Sequence, residues 1–352
     1  MTSVAKRPLF QQRPTGPLFA IGLLILALAL AACSREPGSI TLTGSTMGTY
    51  WNAQIAAVPP GLRVTDLRRD IERQLERVND EMSTWQDDSI ISQFNRAEPG
   101  EQFTLPASFA YVLGKALDIA EQTDGAFDPT VGPLVNLWGF GPERRADQPP
   151  PPADIAEALA SVGWQRVDFD RETRVLTQTG GVYLDLSAIA KGYGVDRLSE
   201  LLLSRGVRGF LVDIGGDIRT HGARGDRRPW RVAVERPVAG ERSIQTVVEP
   251  GNAAMVTSGT YRQFFEADGQ RFSHTIDPRT GYPVAHQVVS VTVIAENATL
   301  ADALATGLGV PSPDEALAIA TRHGHAVLWL LYVDGEVVER YSPAFAPFLE
   351  QE

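Results

Sequence analysis

The sequence predicts an α+β fold, in which a mixed, largely antiparallel set of strands packs against helices. Two Asp-Gly pairs, Asp268-Gly269 and Asp334-Gly335, each lie between residues of alternating polarity, as β-hairpins require. Strands therefore cluster in hairpins and do not alternate regularly with helices, which argues against a parallel α/β sheet. With 352 residues, 43% of them apolar, the chain can bury a large core in one domain or in two closely packed ones.

The first elements are two strands and two helices. Residues 40–58 predict an opening strand pair. Apolar residues at helical spacing over 67–82 predict a helix, with Thr65 as its possible N-cap. A second helix is predicted over 107–122, ending near Gly125, because glycine commonly terminates helices.

The middle of the chain begins with four prolines at 149–152, which predict a stiff connector. Residues of alternating polarity follow and are typical of strands. The elements predicted here are a helix at 154–162, strands at 167–169, 174–177 and 182–186, a helix at 187–204 and a strand at 210–214.

The amino terminus is typical of an exported bacterial lipoprotein. Three cations precede an apolar run over 18–30, which is shorter than the roughly 20 residues that a membrane-spanning helix needs. The next residues resemble a lipobox, Leu-Ala-Ala-Cys at 30–33, so we expect residues 1–32 to be removed and Cys33 to carry acyl chains such as palmitate. Residues 33–40 would then form a lipidated tether. An incidental buried thiol is the alternative for Cys33.

Several acyl chains on one residue would hold the protein at a membrane. Ser34 stands where an aspartate would favour inner-membrane retention, so we expect the periplasmic side of a bacterial membrane, with the outer membrane slightly favoured. Loss of the presequence would change the formal charge from −11 to −14, which argues against nucleic acid as a partner. Residues 41–345 would form the folded domain and residues 346–352 a frayed tail.

The common nucleotide-binding and hydrolase motifs are absent from the sequence. It contains no P-loop, no Rossmann glycine motif, no zincin helix and no nucleophile elbow. Nucleotide chemistry, if present, must therefore use another kind of site.

One polar pair stands out in an otherwise apolar helix. Asp302 and Thr306 are four residues apart, so they share a helix face and can offer a carboxylate and a hydroxyl to one hard cation such as Mg²⁺. The alternative is an acid near a helix start, favoured by the helix dipole, with a threonine bonded to its own backbone.

Two further segments combine turn residues with reactive side chains. His274 precedes a tight Asp-Pro-Arg-Thr-Gly turn at 277–281 and is a candidate acid-base group or phosphate ligand, or a strand-end histidine satisfied by its neighbours. Residues 184–196 lead a strand into a helix start rich in small residues with one cation, Lys191. This helix start could bind an anion, or its small residues could allow close helix packing.

Two further segments, which are weaker evidence for a functional site, place acidic residues beside turns. Asp128 belongs to an acid-proline turn among apolar residues, and residues 212–217 run from a strand into a Gly-Gly turn.

Eight blocks, taken in order, resemble the ApbE family of FAD:protein FMN transferases, and they cover nearly the whole mature chain. Each block is only moderately specific, but eight in sequence order are unlike a chance match. The blocks lie at 44–49, 82–85, 125–133, 185–193, 212–217, 257–259, 274–281 and 301–306.

The resemblance implies an ApbE-like fold, related to the T-fold, and a set of functional positions. Asp302 and Thr306 would bind Mg²⁺ together with a backbone carbonyl, that of Ala188. His274 and Asp302 would take part in catalysis. The residues implied to contact the flavin nucleotide or its phosphates are Met47, Ser83, Thr84, Trp85, Asp128, Lys191, Thr257, Ser258 and His274.

The implied reaction is Mg²⁺-dependent cleavage of the FAD pyrophosphate. FMN would pass to a threonine hydroxyl of a target flavoprotein, such as a subunit of an Rnf-type or Nqr-type redox pump, with release of AMP. Two alternatives remain at this point. Water as acceptor gives a metal-dependent FAD pyrophosphatase, and an inactive site gives a flavin-binding lipoprotein.

Overall fold

A computed structural model describes residues 39–142, 148–237, 243–260 and 263–349. Ser39–Glu352 form one compact unit. The predicted signal peptide, Cys33 and most of the predicted tether lie outside the described residues. Within the described ranges, no helix combines the length and the apolar character that a membrane crossing requires.

An eight-stranded antiparallel sheet organises the fold and confirms the predicted α+β class. Its strand order is β1-β2-β6-β7-β10-β13-β14-β15. Neighbouring strands in it pair antiparallel. The strands of this sheet are β1 (Ile40–Thr46), β2 (Thr49–Ile55), β6 (Phe210–Ile214), β7 (Asp217–His221), β10 (Ala254–Gly259), β13 (Val288–Ala295), β14 (Ala326–Val333) and β15 (Glu336–Tyr341).

Three smaller sheets accompany it. Strands β3 (Gln102–Thr104), β4 (Asp168–Asp170) and β5 (Val175–Thr177) form one in the order β3-β5-β4. The other two are the hairpins β8-β9 and β11-β12. Their strands are β8 (Val232–Glu235), β9 (Ile244–Val248), β11 (Phe264–Ala267) and β12 (Gln270–Ser273).

Tight turns set the strand pairing, as the sequence predicts. Asp268 and Asp334 have positive φ angles and each precedes a glycine with positive φ, so both Asp-Gly pairs close hairpins. The same geometry occurs between β1 and β2, where Met47 has a φ of 48° and Gly48 a φ of 70°. The predicted opening strand pair at 40–58 is confirmed.

Helices cover one face of the main sheet. They pack their apolar sides on β1, β2, β6, β10 and β13 in the largest buried cluster, which includes Trp51, Phe109 and Trp329. The α-helices of the described residues are α1 (Val64–Met82), α2 (Ile90–Asn95), α3 (Ala107–Gln122), α4 (Gly132–Leu137), α5 (Pro152–Ser161), α6 (Ser187–Ser204), α7 (Ala298–Gly307) and α8 (Pro313–His323).

Two other buried clusters complete the fold. On the opposite sheet face, Trp230 and Phe345 pack with the β8-β9 hairpin against β10, β13 and β14. The third cluster joins α4 and α5 to the β11-β12 hairpin through Trp138, Phe265 and Phe272. This third cluster supports the chain that runs into His274.

Helices α6 and α7 pack unusually closely, at Gly192. A Cβ atom added to Gly192 would lie 2.1 Å from the carbonyl oxygen of Ala298 and 2.7 Å from Cβ of Asp302. One turn on, the carboxylate of Asp196 accepts hydrogen bonds from the N–H groups of Ala298 and Thr299 at the start of α7. Those N–H groups have no partner within their own helix, so Asp196 satisfies them.

One predicted strand is wrong. Residues 182–186 are irregular, because side chains and not a neighbouring strand satisfy their backbone. The amide of Asn95 accepts from the N–H of Leu184 and donates to its carbonyl, and the amide of Gln178 does the same for Val182. The neighbouring helix predicted at 187–204 and the strand predicted at 210–214 are confirmed.

Smaller corrections concern the ends of elements. Helix α1 begins at Val64 with Arg63 at the N-cap position, so Thr65 lies inside the helix and does not cap it. The tether predicted to reach residue 40 ends earlier, because Ile40 is already in β1. The predicted frayed tail is wrong for 346–349, where Leu349 bridges to Val248. Residues 350–352 lie outside the described residues.

The close helix contact predicts a stability difference between two glycine-to-alanine changes. Gly192→Ala would force α6 and α7 apart and cost about 3 kcal/mol of unfolding free energy. Gly114→Ala, inside α3, would place its Cβ 3.7 Å from the nearest atom, a side-chain nitrogen of Arg171, and gain about 0.5–1 kcal/mol. Urea unfolding of both variants measures this, and equal shifts would contradict the argument.

Candidate active site

The candidate site lies where the N-terminal half of α6 meets α7. Oδ2 of Asp302 accepts a 2.9 Å hydrogen bond from the N–H of Gly192, across the close contact. Asp302 is in the second turn of α7, which begins at Ala298 behind the N-cap Asn297. Asp302 is therefore not an acid at the start of its helix, which was the alternative interpretation of the sequence. Its carboxylate faces α6.

Three charged groups meet at this point. Nζ of Lys191 lies 2.5 Å from Oδ2 of Asp217, the first residue of β7, and 3.7 Å from Oδ1 of Asp302. Asp217 is 2% exposed and Asp302 is 4% exposed. We call Lys191, Asp217 and Asp302 the charge cluster.

The charge cluster contains two carboxylates and only one ammonium group, so its charges do not cancel. Burial alone would lower the pKa of Lys191, but the carboxylates of Asp217 and Asp302 outweigh it and raise that pKa, so the lysine stays charged. Burial, and then the charge of Asp217, raise the pKa of Asp302 to about 7, against the opposing effect of Lys191. The carboxylate of Asp302 therefore lacks full compensation of its charge.

The antiparallel helix pairing is compatible with the three predicted metal ligands lying near one another. Asp196 contacts the start of α7, while Gly192 contacts both Ala298 and Asp302, so α6 and α7 run antiparallel. One turn further toward the start of α6 is Ala188, and one turn further along α7 is Thr306. These two residues are thus level with each other beside Asp302.

The donor atoms at this place fit a hard divalent cation. A carboxylate, a hydroxyl and a backbone carbonyl are the oxygen ligands that Mg²⁺ prefers, and the incomplete charge compensation of Asp302 favours a cation there. Among the described residues, no group of three or more His, Cys, Asp or Glu side chains could hold a metal ion. A cation held by these few protein ligands would complete its coordination with water or, once FAD is bound, with substrate phosphate oxygens.

Met47 and the segment 83–85 lie at the same end of the helix layer. Met47 packs beside Gly194 of α6, since its terminal methyl would lie 3.1 Å from a Cβ added there. Asn79, in the last turn of α1, donates to Thr46 next to Met47. Segment 83–85 follows directly after α1.

Two side chains in segment 83–85, those of Thr84 and Trp85, are available to a ligand. Oγ1 of Thr84 is buried without a hydrogen-bond partner, a state that costs about 1–3 kcal/mol unless a partner binds. Trp85 is 63% exposed although it is a large aromatic residue. The third residue, Ser83, accepts the N–H of Trp85 with its hydroxyl. The predicted nucleotide contacts of these residues stay predictions.

Asp128 has a structural use that the sequence does not reveal. Its carboxylate accepts the N–H and the hydroxyl of Thr130 and the N–H of Trp164, at 2.6–3.0 Å. Burial raises the pKa of Asp128 against these three bonds. A flavin contact, as predicted for Asp128, would have to use a carboxylate that already accepts hydrogen bonds from two separate segments of the chain.

Thr257 and Ser258 are adjacent residues of β10, so their side chains point to opposite faces of the sheet. Thr257 bonds Thr292 at 2.9 Å and shares a sheet face with Met255 and Ile294, which belong to the cluster opposite the helices. Ser258 points to the other face, which carries α6 and α7. The structure thus brings Ser258, but not Thr257, to the sheet face of the charge cluster.

His274 follows the last residue of β12. Its Nδ1 lies 3.1 Å from the carbonyl oxygen of Gln263, so Nδ1 carries the hydrogen and Nε2 keeps a free lone pair. Burial, together with the charge of Lys191, lowers the pKa of His274 below its usual 6.5, against the opposing effect of that hydrogen bond. The ring is therefore neutral at pH 7 and within electrostatic reach of the charge cluster.

Asp217 is a member of the site that the sequence alone does not identify. It stands at the first position of β7, opposite the buried Ile214 of β6. A charged residue at an inward strand position is costly without a partner. The Gly-Gly turn before it had drawn attention only to the backbone.

Comparisons with known proteins identify the family of this chain. A model of the ApbE family matches residues 47–329. The FAD:protein FMN transferase of Vibrio cholerae is 41% identical over 334 residues, 95% of this chain and 99% of that protein. The FAD:protein FMN transferase of Escherichia coli K12 is 37% identical over 94% of this chain and 97% of that protein.

Solved structures show the same fold. The flavin transferase ApbE from Vibrio cholerae matches with a TM-score of 0.83 at 41% identity, covering 89% of this chain and 99% of that chain. The apo form of the Pseudomonas stutzeri flavinyl transferase ApbE matches with a TM-score of 0.81 at 34% identity, covering 89% and 97%. On both the sequence and the structural evidence, this chain belongs to the ApbE family.

Proposed function

We propose that this chain is an FAD:protein FMN transferase, which cleaves the FAD pyrophosphate and transfers FMN to a threonine hydroxyl of a target flavoprotein. Relatives that match over nearly the whole chain carry that name. The observation that carries the proposal is the charge cluster in the α6–α7 contact, where a buried, incompletely compensated carboxylate faces a lysine.

Asp302, Thr306 and the carbonyl of Ala188 would hold Mg²⁺. When bound, the ion supplies neutralisation of the charge that develops on the pyrophosphate oxygens. Lys191, held charged by its two carboxylates, would attract and orient the same phosphates. Met47, Ser83, Thr84, Trp85, Asp128 and Ser258 remain our proposed contacts for the flavin nucleotide, whereas Thr257 faces the other side of the sheet.

The neutral imidazole of His274 fits the role of general base. Nε2 would accept the proton of the threonine hydroxyl as its oxygen forms a bond to the phosphorus of the FMN half. The bond from that phosphorus to the bridging oxygen breaks, and AMP leaves with that oxygen. A depressed pKa suits this role, because the base must be unprotonated before it acts.

The partners proposed are FAD and a protein with an accessible threonine. The family resemblance favours subunits of Rnf-type and Nqr-type redox pumps or related flavoproteins. We also propose that residues 1–32 are a signal peptide and that lipid on Cys33 holds the enzyme at the periplasmic side of a membrane. An anchored enzyme would meet such membrane-bound acceptors in two dimensions.

A single assay separates the proposed function from its alternatives. The full chain is incubated with FAD, Mg²⁺ and an acceptor domain bearing the target threonine, then denatured and resolved on a gel. We expect a flavin-fluorescent acceptor band and release of AMP. Free FMN without a labelled band would indicate a pyrophosphatase, and intact FAD would indicate a binding protein. An acceptor with threonine replaced by alanine is the matched control.

Asp302→Ala and excess chelator test the metal in the same assay. Each is expected to lower FAD cleavage by roughly a thousandfold or more, since the metal supplies several kcal/mol. Circular dichroism should show that the variant keeps its fold. Unchanged cleavage in excess chelator would rule out both metal-dependent enzymes.

The base role of His274 predicts a specific pH effect. The neutral ring is the active form, so the rate of the wild-type protein should fall as the pH drops through the His274 pKa, which lies below 6.5. His274→Gln should lower kcat by about 10²–10⁴ and remove that acidic limb. A variant with the same limb would show that another group titrates.

The proposed anchor predicts the fate of Cys33→Ser. Without the thiol, no diacylglyceryl group can be attached, so this variant should lose its stable membrane association. Fractionation of expressing cells and incorporation of labelled palmitate measure this. Equal palmitate label in the wild type and the variant would contradict the lipidation of Cys33.

A further inference from the structure

The charge cluster contains one cation and two buried anions, and it shares its cation unequally. Nζ of Lys191 is 2.5 Å from Asp217 and 3.7 Å from Asp302. The first contact is a charge-assisted hydrogen bond, whereas the second is a longer ion pair. Lys191 therefore interacts more closely with Asp217 than with Asp302.

The position of Asp217 is fixed by its surroundings. It opens β7, directly after the turn formed by Gly215 and Gly216, whose φ angles are 60° and 102°. Across the β6-β7 hairpin it pairs with Ile214, and its residue is 2% exposed. The carboxylate is anchored on a sheet strand and cannot turn to solvent without disturbing the hairpin.

Without the charge of Asp217, the only carboxylate of the described residues within ion-pair distance of Lys191 would be that of Asp302, with the carboxylate of Asp213 acting from farther away. Its ammonium group would then pair directly with Oδ1 of Asp302, because a buried cation requires a partner. That oxygen is the one not bonded to the N–H of Gly192. A divalent cation would have to displace the lysine to reach it.

We infer that Asp217 is a positioning residue, which holds the ammonium of Lys191 away from Asp302 and so keeps a carboxylate oxygen of Asp302 free for a divalent cation. This inference rests on the metal site of the proposed function and adds a residue to it. Asp217 need not touch the cation, because it acts through Lys191.

A double-mutant cycle on metal affinity tests this without turnover. Mg²⁺ is titrated calorimetrically into the full chain in the absence of flavin, for the wild type, Asp217→Asn, Lys191→Met and the double variant. Asp217→Asn should weaken binding by about 10–100-fold, as loss of a residue that supports a metal ligand does. Lys191→Met should bind at least as tightly as the wild type, because it removes the competing cation.

The coupling between the two substitutions is the decisive result. In the Lys191→Met background, Asp217→Asn should cost at least roughly tenfold less affinity than it does beside the lysine. An equal loss in both backgrounds would overturn the inference, since Asp217 would then act as a ligand or as a general negative charge. If the wild type itself bound no Mg²⁺, the metal site of the proposed function would fail first.

A matched variant controls for general loss of a buried acid. Asp70 of α1 is also buried and is paired with Arg73 in the same helix and with Arg205, the residue after α6. Asp70→Asn should lower thermal stability and leave the Mg²⁺ affinity unchanged within about threefold. Weakened binding in Asp70→Asn as well would show that the effect of Asp217→Asn reflects lost stability and not the position of Lys191.

Discussion

The close contact between α6 and α7 at Gly192 determines where the groups of the site can lie. Only a residue without a side chain lets the N–H of position 192 reach the carboxylate of Asp302 at 2.9 Å. This contact fixes the antiparallel register of the two helices and hence the levels of Ala188 and Thr306. The two interpretations of this helix start, anion binding and close packing, are therefore not exclusive.

Placing two carboxylates and one ammonium in this contact costs stability. A buried ion pair rarely gains more than it loses in desolvation, and the raised pKa of Asp302 shows that one anion stays incompletely compensated. A structural role alone would favour apolar residues at these positions. An unbalanced charge inside a tightly packed seam is therefore more typical of a ligand site than of a purely structural contact.

Sequence information reached those features that depend on local patterns. The spacing of Asp302 and Thr306 correctly placed both residues on one helix. The helix predicted at 187–204 also agrees with the observed bounds of α6. The strand predicted at 182–186 failed because side chains occupy its backbone groups, and one of them, Asn95, is distant in sequence. Asp217 was missed for the same reason, since its contact with Lys191 depends on how β7 sits beneath α6.

The two proposed halves of the reaction belong to different parts of the core. The charge cluster is held by the large cluster between helices and sheet, while His274 ends a two-stranded hairpin packed on α4 and α5 by Trp138 and Phe272. Only electrostatics link them, since Lys191 contributes to the lowered pKa of His274. Changes in the hairpin can therefore alter the acceptor side, water or threonine, while the metal side stays intact. In the proposed mechanism, the choice between transfer and hydrolysis would therefore depend on residues around the hairpin more than on those of the charge cluster.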